Sequence, residues 1–344
     1  MALLEVTDLH VSFSTPDGVL QAVRGLSFAV DQGKTLGIVG ESGSGKSVST
    51  QTIMGLTRGA RISGEALFEG RDLLQMSGHD LQKVRGSQIG MIFQDPLSSL
   101  HPYYRVGWQI IEMLRTHDRS MSKQQARSRA VELLRLVGIP QPDRRVDDFP
   151  HQFSGGMRQR AMIAMSMALN PKLLIADEPT TALDVTVQAQ VLAVMKRLQE
   201  EFGTAIILIT HDLGVIADVA DDVIVMYAGK AMEKADRNQT FYTHHNPYTE
   251  GLLLSLPAYG DERERLRPIA GQPPSLITLP EGCPFRPRCP YAFDKCVEEP
   301  PLLQIDGQAD HVSACWLPTD MRKREQIRKD TLSRDAEAVP AESG

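Results

Sequence analysis

The sequence predicts an α/β fold in which strands and helices alternate around a phosphate-binding loop. Three short apolar runs, Thr35–Val39, Lys172–Ala176 and Ala205–Ile209, have the length of buried strands, and each is followed by polar or glycine residues. A glycine-rich loop follows the first run, and a helix-like segment at Val185–Phe202 separates the other two. Strands that alternate with helices pair in parallel, so we expect the ligand site at their carboxyl ends.

Further elements are predicted on either side of this sheet. The segments Leu4–Phe13 and Gly64–Phe68 have strand-like patterns, and we assign them to a smaller antiparallel layer. Residues 96–168 carry mostly helical patterns and are predicted to form an inserted helical subdomain. Prolines interrupt any long element in the segment 259–321, which is predicted to be a small C-terminal domain. The charged stretch 322–344 is predicted to be a disordered tail.

Composition limits what the chain does. Of its 344 residues, 42% are hydrophobic and 23% are charged, the proportions of an ordinary soluble protein. The formal net charge of −6 gives no basic surface for nucleic acid, which we do not expect as a partner. The sequence has no apolar stretch of about 20 residues and no secretory signal at its start. We therefore expect a cytoplasmic location, with any membrane contact made through a partner.

The loop after Thr35–Val39 fits a phosphate-binding motif along its whole length. Its glycines let consecutive backbone N–H groups point at phosphate oxygens, and the positive end of the next helix adds to their field. Lys46 is expected to bridge the β- and γ-phosphates, and the Ser47 hydroxyl is expected to bind Mg²⁺. The residues predicted to bind the nucleotide here are Gly40, Glu41, Ser42, Gly43, Ser44, Gly45, Lys46 and Ser47.

Two carboxylates end the apolar run that precedes Pro179. Asp177 is suited to bind Mg²⁺, directly or through water. Glu178 is placed to polarise a water molecule for attack on the γ-phosphate. An acidic helix cap is the alternative for this pair. The two carboxylates stand at the end of a predicted strand, in a chain with a phosphate-binding loop. We therefore favour a role in ATP hydrolysis for them.

The segment Phe153–Met157 reads Phe-Ser-Gly-Gly-Met and stands between the phosphate-binding loop and the acidic strand. That order resembles the ATP-binding cassette (ABC) ATPases. The resemblance implies the P-loop NTPase fold of an ABC nucleotide-binding domain over residues 1–258. The family usually has Leu-Ser-Gly-Gly-Gln at this signature, and the chain keeps its central Ser-Gly-Gly. In the family these residues contact the γ-phosphate of ATP held by a second ATPase subunit; here they are Ser154, Gly155 and Gly156.

The same resemblance assigns roles to other residues by position. Gln94 matches the Q-loop glutamine, which contacts the metal ion and borders the transmembrane docking surface, and Asp184 matches the D-loop aspartate. His211 matches the switch histidine that contacts the γ-phosphate. Phe13 resembles the aromatic residue that stacks on adenine, and it also fits a core position of the first strand. The implied cofactors are ATP and Mg²⁺, the implied catalytic residues are Glu178, His211 and Gln94, and the implied Mg²⁺ ligands are Ser47, Gln94 and Asp177.

Three further segments resemble the ATPase subunits of bacterial dipeptide and oligopeptide importers. They are the extended Q-loop at 93–102, where the family usually has asparagine in place of His101, the stretch Asn246–Thr249, and the proline-rich tail with four cysteines. The resemblance implies an ATP-hydrolysing subunit that drives peptide uptake from the cytoplasmic face of the inner membrane. Its implied partners are a second, related ATPase subunit, two transmembrane permeases and an extracytoplasmic substrate-binding protein.

Two other functions stay open at the level of the sequence. The importer subfamily also serves nickel and glutathione uptake, and the ATPase subunit does not choose the substrate. A soluble ABC ATPase that acts on nucleic acid or ribosomes is the alternative outside transport. The sequence lacks the sustained heptads, the second cassette and the cysteine-containing insert that such proteins carry, so a transporter subunit is favoured.

All four cysteines, Cys283, Cys289, Cys296 and Cys315, lie in the C-terminal segment. Cysteines clustered in a cytosolic chain more often bind metal or carry out redox chemistry than form disulfides. Four thiolates suit a [4Fe–4S] cluster or Zn²⁺, but zinc sites usually contain a closely spaced cysteine pair. Some importer ATPases that this tail resembles hold an iron–sulfur cluster, so we predict [4Fe–4S], with Zn²⁺ or uncoordinated thiols as alternatives. His311 is a candidate to substitute for one of the cysteine ligands; the alternative is a solvent-facing loop residue, which is favoured.

Overall fold

A mostly parallel sheet with helices beside it forms the centre of the molecule. The computed structural model describes residues 2–94, 99–181, 183–256, 268–305, 307–308 and 310–338. Within them the strands are β1 (Leu4–Thr15), β2 (Gly18–Val30), β3 (Thr35–Val39), β4 (Ala60–Phe68), β5 (Arg71–Asp72), β6 (Ile89–Ile92), β7 (Leu173–Asp177), β8 (Ala205–Thr210), β9 (Asp222–Tyr227), β10 (Lys230–Asp236), β11 (Leu303–Gln304) and β12 (Val312–Ser313). The α-helices are α1 (Lys46–Ile53), α2 (Gly78–Val84), α3 (Val106–His117), α4 (Lys123–Leu136), α5 (Pro142–Arg145), α6 (Gly155–Ser166), α7 (Val185–Phe202), α8 (Leu213–Val219), α9 (Arg237–Tyr242), α10 (Pro247–Leu254) and α11 (Met321–Ala338). None of these described helices has the length and apolar character needed to cross a membrane.

The main sheet has the strand order β11-β12-β10-β9-β3-β8-β7-β6. Strands β9, β3, β8, β7 and β6 run parallel, whereas β10 is antiparallel to β9. Every residue of β3, β7 and β8 is buried, as expected for apolar strands covered on both faces. The arrangement confirms the predicted α/β fold. It brings the residues that follow β3, β7 and β8 to one edge of the sheet, where ligands of such sheets bind.

A second, antiparallel sheet has the order β2-β1-β4-β5. Its inward-facing side chains and those of the main sheet form one apolar core. Leu4, Leu26 and Phe68 come from the antiparallel sheet, and Ile38 and Ile207 come from the main sheet. Helix α1 contacts β1 and β2. The small antiparallel layer predicted from the sequence is therefore present, and it supports the helix that begins at the phosphate-binding loop.

The described part of the chain between β6 and β7 contains the helices α3, α4, α5 and α6. Helix α3 contacts α4, and α6 contacts α3, α4 and α7. Their buried apolar side chains include Ile110, Leu114, Leu133 and Met162. The predicted beginning of this helical region at residue 96 lies outside the described residues. Its role as an inserted subdomain stays a prediction.

The C-terminal region adds strands to the main sheet. Strand β12 pairs with β10 through Ser313 opposite Glu233 and Val312 opposite Lys234, and β11 pairs with β12. Ser313 and Glu233 are both fully buried. The boundary predicted at residues 258–259 lies outside the described residues, and a separate C-terminal domain stays a prediction. Strands β11 and β12 of the C-terminal region are therefore hydrogen-bonded as part of the main sheet.

Helix α11 corrects the prediction of a disordered tail at 322–344. The segment consists largely of good helix formers, namely arginine, lysine, glutamate, glutamine and alanine, and it docks on the protein. Arg324 is 9% exposed and donates to the His245 carbonyl oxygen at 2.9 Å. Thr331 Oγ1 donates to the Ala292 carbonyl oxygen at 2.8 Å. High charge alone did not reveal these contacts. Residues 339–344 lie outside the described residues.

Candidate nucleotide site

The loop between β3 and α1 carries the predicted phosphate-binding residues. Gly40 and Gly45 have positive φ angles of 155° and 97°. A Cβ atom at Gly40 would lie 2.1 Å from the Met226 carbonyl oxygen, and one at Gly45 would lie 2.3 Å from the Ala22 carbonyl oxygen. Only glycine therefore allows the loop to pass so close to its neighbours. The backbone of the loop is shaped by these two approaches.

Lys46 begins α1 and is only 4% exposed. Its ammonium group donates to the carbonyl oxygens of Gly40 at 2.7 Å and Glu41 at 2.8 Å, both within the loop. Burial lowers the pKa of Lys46, and the carboxylates of Glu178, Asp177 and Glu41 act against that shift. An ammonium group fixed within this loop is suited to bind phosphate oxygens.

Ser47 and Asp177 lie in contact where α1 meets the end of β7. Ser47 Oγ donates to Asp177 Oδ1 at 2.7 Å, and Gln51 Nε2 donates to Asp177 Oδ2 at 3.4 Å. Burial raises the pKa of Asp177, and the hydrogen bond from Ser47 opposes that shift. A hydroxyl beside a carboxylate provides the oxygen ligands that Mg²⁺ prefers. Gln51 was missed in the sequence, although its position one turn after Ser47 on the same helix face could have indicated it.

Three side chains converge on the carboxylate of Glu178, which directly follows β7. Gln94 Nε2 and Thr181 Oγ1 each donate to Glu178 Oε2 at 2.9 Å. His211 Nδ1 lies 3.5 Å from Glu178 Oε1. The φ angle of Glu178 is 47°, a left-handed conformation that is uncommon for residues other than glycine. The structure thus brings together the three predicted catalytic residues and adds Thr181, which the sequence analysis missed.

The Ser-Gly-Gly signature lies at the N-terminus of α6. Ser154 Oγ accepts from the Met157 N–H at 3.3 Å, so it caps the helix that follows it. A Cβ atom at Gly156 would lie 2.6 Å from Val187 Cγ1, so α6 and α7 pack closely here. Asp184 caps α7 in the same way, because its Oδ1 accepts from the Val187 N–H at 3.0 Å. These contacts join the signature to α6 and α7, and not to the phosphate-binding loop of the same chain.

Phe13 lies on β1, opposite Leu20 of β2 and Ala60 of β4. Its side chain is half-buried and packs against the core between the two sheets. A ring that is partly in the core and partly exposed is compatible with both of its predicted roles, core packing and adenine stacking. Its contact with adenine stays a prediction.

Glu41 is held by two residues from a distant part of the chain. Its backbone N–H donates to Tyr248 Oη at 2.9 Å. Its two carboxylate oxygens accept from Arg288 Nη1 at 2.6 Å and from Arg288 Nη2 at 2.9 Å. The sequence did not indicate either partner as a site residue. Arg288 stands 247 positions from Glu41 and belongs to no recognisable motif.

The four cysteines line a single cavity of about 20 Å³, together with Phe285, Tyr291 and Trp316 among others. Burial raises the pKa of all four thiols, to about 12 for Cys315. Among the described residues, no three or more His, Cys, Asp or Glu side chains are arranged to hold a metal ion. The prediction of a metal centre has no structural support beyond the shared cavity.

His311 is buried and does not face solvent, which corrects one of its two expected roles. Its Nε2 donates to Glu233 Oε1 at 2.7 Å, its Nδ1 contacts Gln308 Oε1, and both His311 and Glu233 have fully buried side chains. Glu233 Oε1 also accepts from the His245 N–H at 2.5 Å and the Asn246 N–H at 3.3 Å. His311 thus joins the tail to β10. The two partners are 78 positions apart, so no local pattern indicated their contact.

Comparison with known proteins identifies the family. Residues 23–181 match the family described as ABC transporter, and residues 232–296 match the family described as Oligopeptide/dipeptide transporter, C-terminal region. The oligopeptide transport ATP-binding protein OppD of Bacillus subtilis is 54% identical over 320 residues, which cover 92% of this chain and 88% of that protein. OppD of Escherichia coli is 51% identical over 320 residues, which cover 93% and 94%. The chain belongs to this family of ABC transport ATPases.

A further relative and a solved structure are also similar to this ABC ATPase. The dipeptide transport ATP-binding protein DppD of Bacillus subtilis is 50% identical over 318 residues, which cover 92% of this chain and 94% of that protein. A solved dimeric ATP-binding cassette in a post-hydrolysis state, bound to ADP and Pi, is similar with a TM-score of 0.62 and 27% identity. The match covers 68% of this chain and 98% of that one. The protein therefore has the P-loop fold of an ABC ATPase, and the resemblance stated from its motifs is confirmed.

Proposed function

We propose that this ABC ATPase hydrolyses ATP to drive the uptake of dipeptides or oligopeptides through membrane permeases. The observation that carries the proposal is the convergence of Gln94, His211 and Thr181 on the Glu178 carboxylate. The names of the relatives at 51% and 50% identity support peptide as the substrate class. The subunit would work at the cytoplasmic face of the inner membrane, held there by its partners.

Each residue of the nucleotide site has its own task in the proposed reaction. Lys46 and the loop N–H groups would bind the β- and γ-phosphates, and Ser47 and Asp177 would hold Mg²⁺, which would neutralise phosphate charge. Glu178 accepts a hydrogen bond from the attacking water and polarises it. Two neighbours of that carboxylate, His211 and Gln94, orient it and contact the γ-phosphate and the metal ion.

We assign the completion of the site to a second, related ATPase subunit. The signature of one subunit would close on the ATP that the other subunit binds. Helix α6 is 12 residues long, and its N-terminal N–H groups and positive end suit a phosphate group. The N-terminus of α7 lies beside it, because Gly156 of α6 packs against Val187 of α7.

We assign permease docking to the exposed aromatic residues of the helical region. Tyr104 and Trp108 stack with ring centroids 4.3 Å apart, and they are 46% and 45% exposed. Tyr103 beside them is 83% exposed. Exposed aromatic side chains are typical of protein interfaces. They follow Gln94 closely in the chain, so closure on ATP could be transmitted to the permeases, which receive peptide from an extracytoplasmic binding protein.

We also propose that Cys283, Cys289, Cys296 and Cys315 hold a [4Fe–4S] cluster. Each cysteine of such a cluster binds a different iron, so the thiolates surround a volume and do not meet at one point as around Zn²⁺. The observation behind this proposal is that all four cysteines line one cavity. At about 20 Å³ it must widen to admit a cluster. A bound cluster would stabilise this segment, whose apolar runs are short and are interrupted by prolines.

Uptake by the assembled transporter tests the proposed function. Proteoliposomes that contain the chain with its co-purified membrane partners should accumulate a labelled dipeptide or oligopeptide, and only with ATP and the binding protein. Lys46→Ala in this chain should abolish uptake. Uptake of nickel or glutathione without peptide would contradict the substrate class. Absence of membrane partners in the purified complex would contradict transport and favour a soluble ABC ATPase.

A further inference from the structure

Arg288 anchors the second residue of the phosphate-binding loop. Its guanidinium group pairs with both oxygens of the Glu41 carboxylate, at 2.6 and 2.9 Å. Tyr248 accepts from the Glu41 N–H, and Lys46 donates to the Glu41 carbonyl oxygen. Every polar group of Glu41 is therefore bonded. Two of the three contacts come from residues outside the loop, after the strands of the parallel sheet.

The residues around Arg288 fix the position of its guanidinium group. Its side chain is 5% exposed, whereas that of Glu41 is 26% exposed. Arg288 Nε donates to the Ala270 carbonyl oxygen at 2.9 Å, and Nη1 donates to Tyr227 Oη at 3.2 Å. The guanidinium carbon lies 5.8 Å from the Tyr227 ring centroid and 6.0 Å from that of Phe285. A planar guanidinium group fixed in this way presents both of its terminal nitrogens to a carboxylate with little further loss of freedom.

The charge of Glu41 makes this contact important for nucleotide binding. The Glu41 carboxylate is one of the charges that act on the Lys46 ammonium group. Without a counter-ion it would compete for Lys46 and would repel the phosphates of an incoming nucleotide. The pair with Arg288 neutralises the carboxylate and holds both of its oxygens.

We propose that Arg288 is a positioning residue of the nucleotide site, which acts by neutralising and holding Glu41. The proposal rests on the assignment of the phosphate-binding loop made above. Arg288 immediately precedes Cys289 and stands in the same short 3-10 helix as Arg286, at Arg286–Arg288. The cysteine-bearing segment therefore supports the nucleotide site through the contact of Arg288 with Glu41, in addition to any role of its thiols.

Binding of a fluorescent ATP analogue with Mg²⁺ to the purified full-length chain tests this role. Arg288→Gln should bind the nucleotide about tenfold more weakly, the scale expected when a charge-assisted hydrogen-bonded pair is lost. The nucleotide affinity of Arg288→Lys should lie between those of the wild type and Arg288→Gln, because an ammonium group keeps the charge but not the bidentate geometry. Arg286→Gln is the matched control, since Arg286 is exposed in the same 3-10 helix, and its affinity should equal that of the wild type.

The double variant separates charge neutralisation from a general loss of structure. Glu41→Gln combined with Arg288→Gln should bind the nucleotide more tightly than Arg288→Gln alone, because the remaining amide no longer needs a counter-ion. In the assembled transporter, Arg288→Gln should raise KM for ATP by a similar factor and leave kcat within about twofold of wild type. Wild-type affinity in Arg288→Gln, an unchanged KM with a lower kcat, or no recovery in the double variant would each overturn the proposal.

A reference variant distinguishes this outcome from failure of the site assignment. Lys46→Ala should lose nucleotide binding if the loop binds phosphate as proposed. If Lys46→Ala binds normally, the site assignment itself is wrong. If Lys46→Ala loses binding while Arg288→Gln matches the wild type, the loop assignment stands and the role of Arg288 is refuted.

Discussion

Glu178 combines an unusual backbone conformation with a fixed side chain. A left-handed conformation at a residue other than glycine costs on the order of 1 to 3 kcal/mol. The surrounding structure supports it through hydrogen bonds from Gln94 and Thr181 to the carboxylate. A glutamine at this position has nearly the same shape, so it should keep the backbone and lose only the charge. The residue therefore allows the charge to be tested separately from the geometry.

Glu178→Gln should retain ATP binding but lower hydrolysis in the assembled transporter by about 100-fold or more, the scale expected when a general base is lost. ATP should then accumulate in a closed dimer, because the attacking water has lost its polarising partner. Steady-state phosphate release and gel filtration with Mg-ATP measure the two effects. Glu201→Gln, an exposed carboxylate on α7, is the control and should leave turnover unchanged. Turnover near wild type in Glu178→Gln would refute the catalytic assignment.

His244 and His245 make the stability of the chain depend on pH. Burial lowers the pKa of both below the ordinary value of 6.5, an effect that the Arg324 guanidinium reinforces and Glu233 opposes. As pH falls below 6.5, the unfolded chain takes up protons that the folded chain does not, so the free energy of unfolding decreases. Urea unfolding midpoints at pH 7.5 and 5.5 should show the loss.

The two variants His245→Gln and His79→Gln identify the source of that pH dependence. His245→Gln removes one of the two buried imidazoles, so the difference between the two midpoints should shrink. The side chain of His79 is 76% exposed, so His79→Gln should leave the difference as it is in the wild type. The same difference between the two urea midpoints in all three proteins would show that the pH dependence arises from other groups.

At the scale of elements, helices α6 and α7 begin side by side. Their N-caps are Ser154 and Asp184, and Gly156 of α6 packs against Val187 of α7. The two neighbouring glycines of the signature are therefore not equivalent in this chain. A Cβ atom at Gly155 would meet nothing within 4 Å, whereas one at Gly156 would meet Val187 Cγ1 at 2.6 Å. One glycine supports helix packing, and the other leaves open space at the helix end.

Gly156→Ala should lower the free energy of unfolding of the isolated chain by about 1 to 2 kcal/mol, because an added methyl group overpacks the contact between α6 and α7. Gly155→Ala, one residue away, should change it by no more than about 0.5 kcal/mol. Urea denaturation followed by circular dichroism measures both. Equal stabilities would show that α6 can shift without cost and that the close approach to Val187 is unimportant.

The cysteine segment gives a second prediction at this scale. Protein purified without oxygen should contain about four irons per chain and absorb broadly at about 400 nm, as thiolate-bound iron does. Cys289→Ser should lose the iron and loosen the segment. One zinc per chain would support the alternative centre, and four titratable thiols without metal would refute both. The assignment of the phosphate-binding loop does not depend on this result.

At the scale of the whole molecule, the sequence predicted the elements that depend on local patterns. It did not predict contacts between residues far apart in the chain. The strand and helix around Lys46 were recognisable because apolar runs and glycine spacing act over a few residues. The predicted helix Val185–Phe202 coincides with α7. The contacts of Arg288 with Glu41 and of His311 with Glu233 span 247 and 78 positions. Only the folded sheet brings such pairs together, so neither composition nor periodicity could reveal them.

The pairing of β12 with β10 has a consequence for synthesis of the chain. At about 5 to 20 residues per second, the 78 positions from Glu233 to His311 take about 4 to 16 seconds to translate. Until then the β10 edge has no strand beside it, and the Glu233 carboxylate lacks the imidazole that it contacts in the finished fold. An unpaired edge of this kind can pair with another nascent chain. The interval before residue 312 emerges is therefore one in which this edge is open to aggregation with other nascent chains.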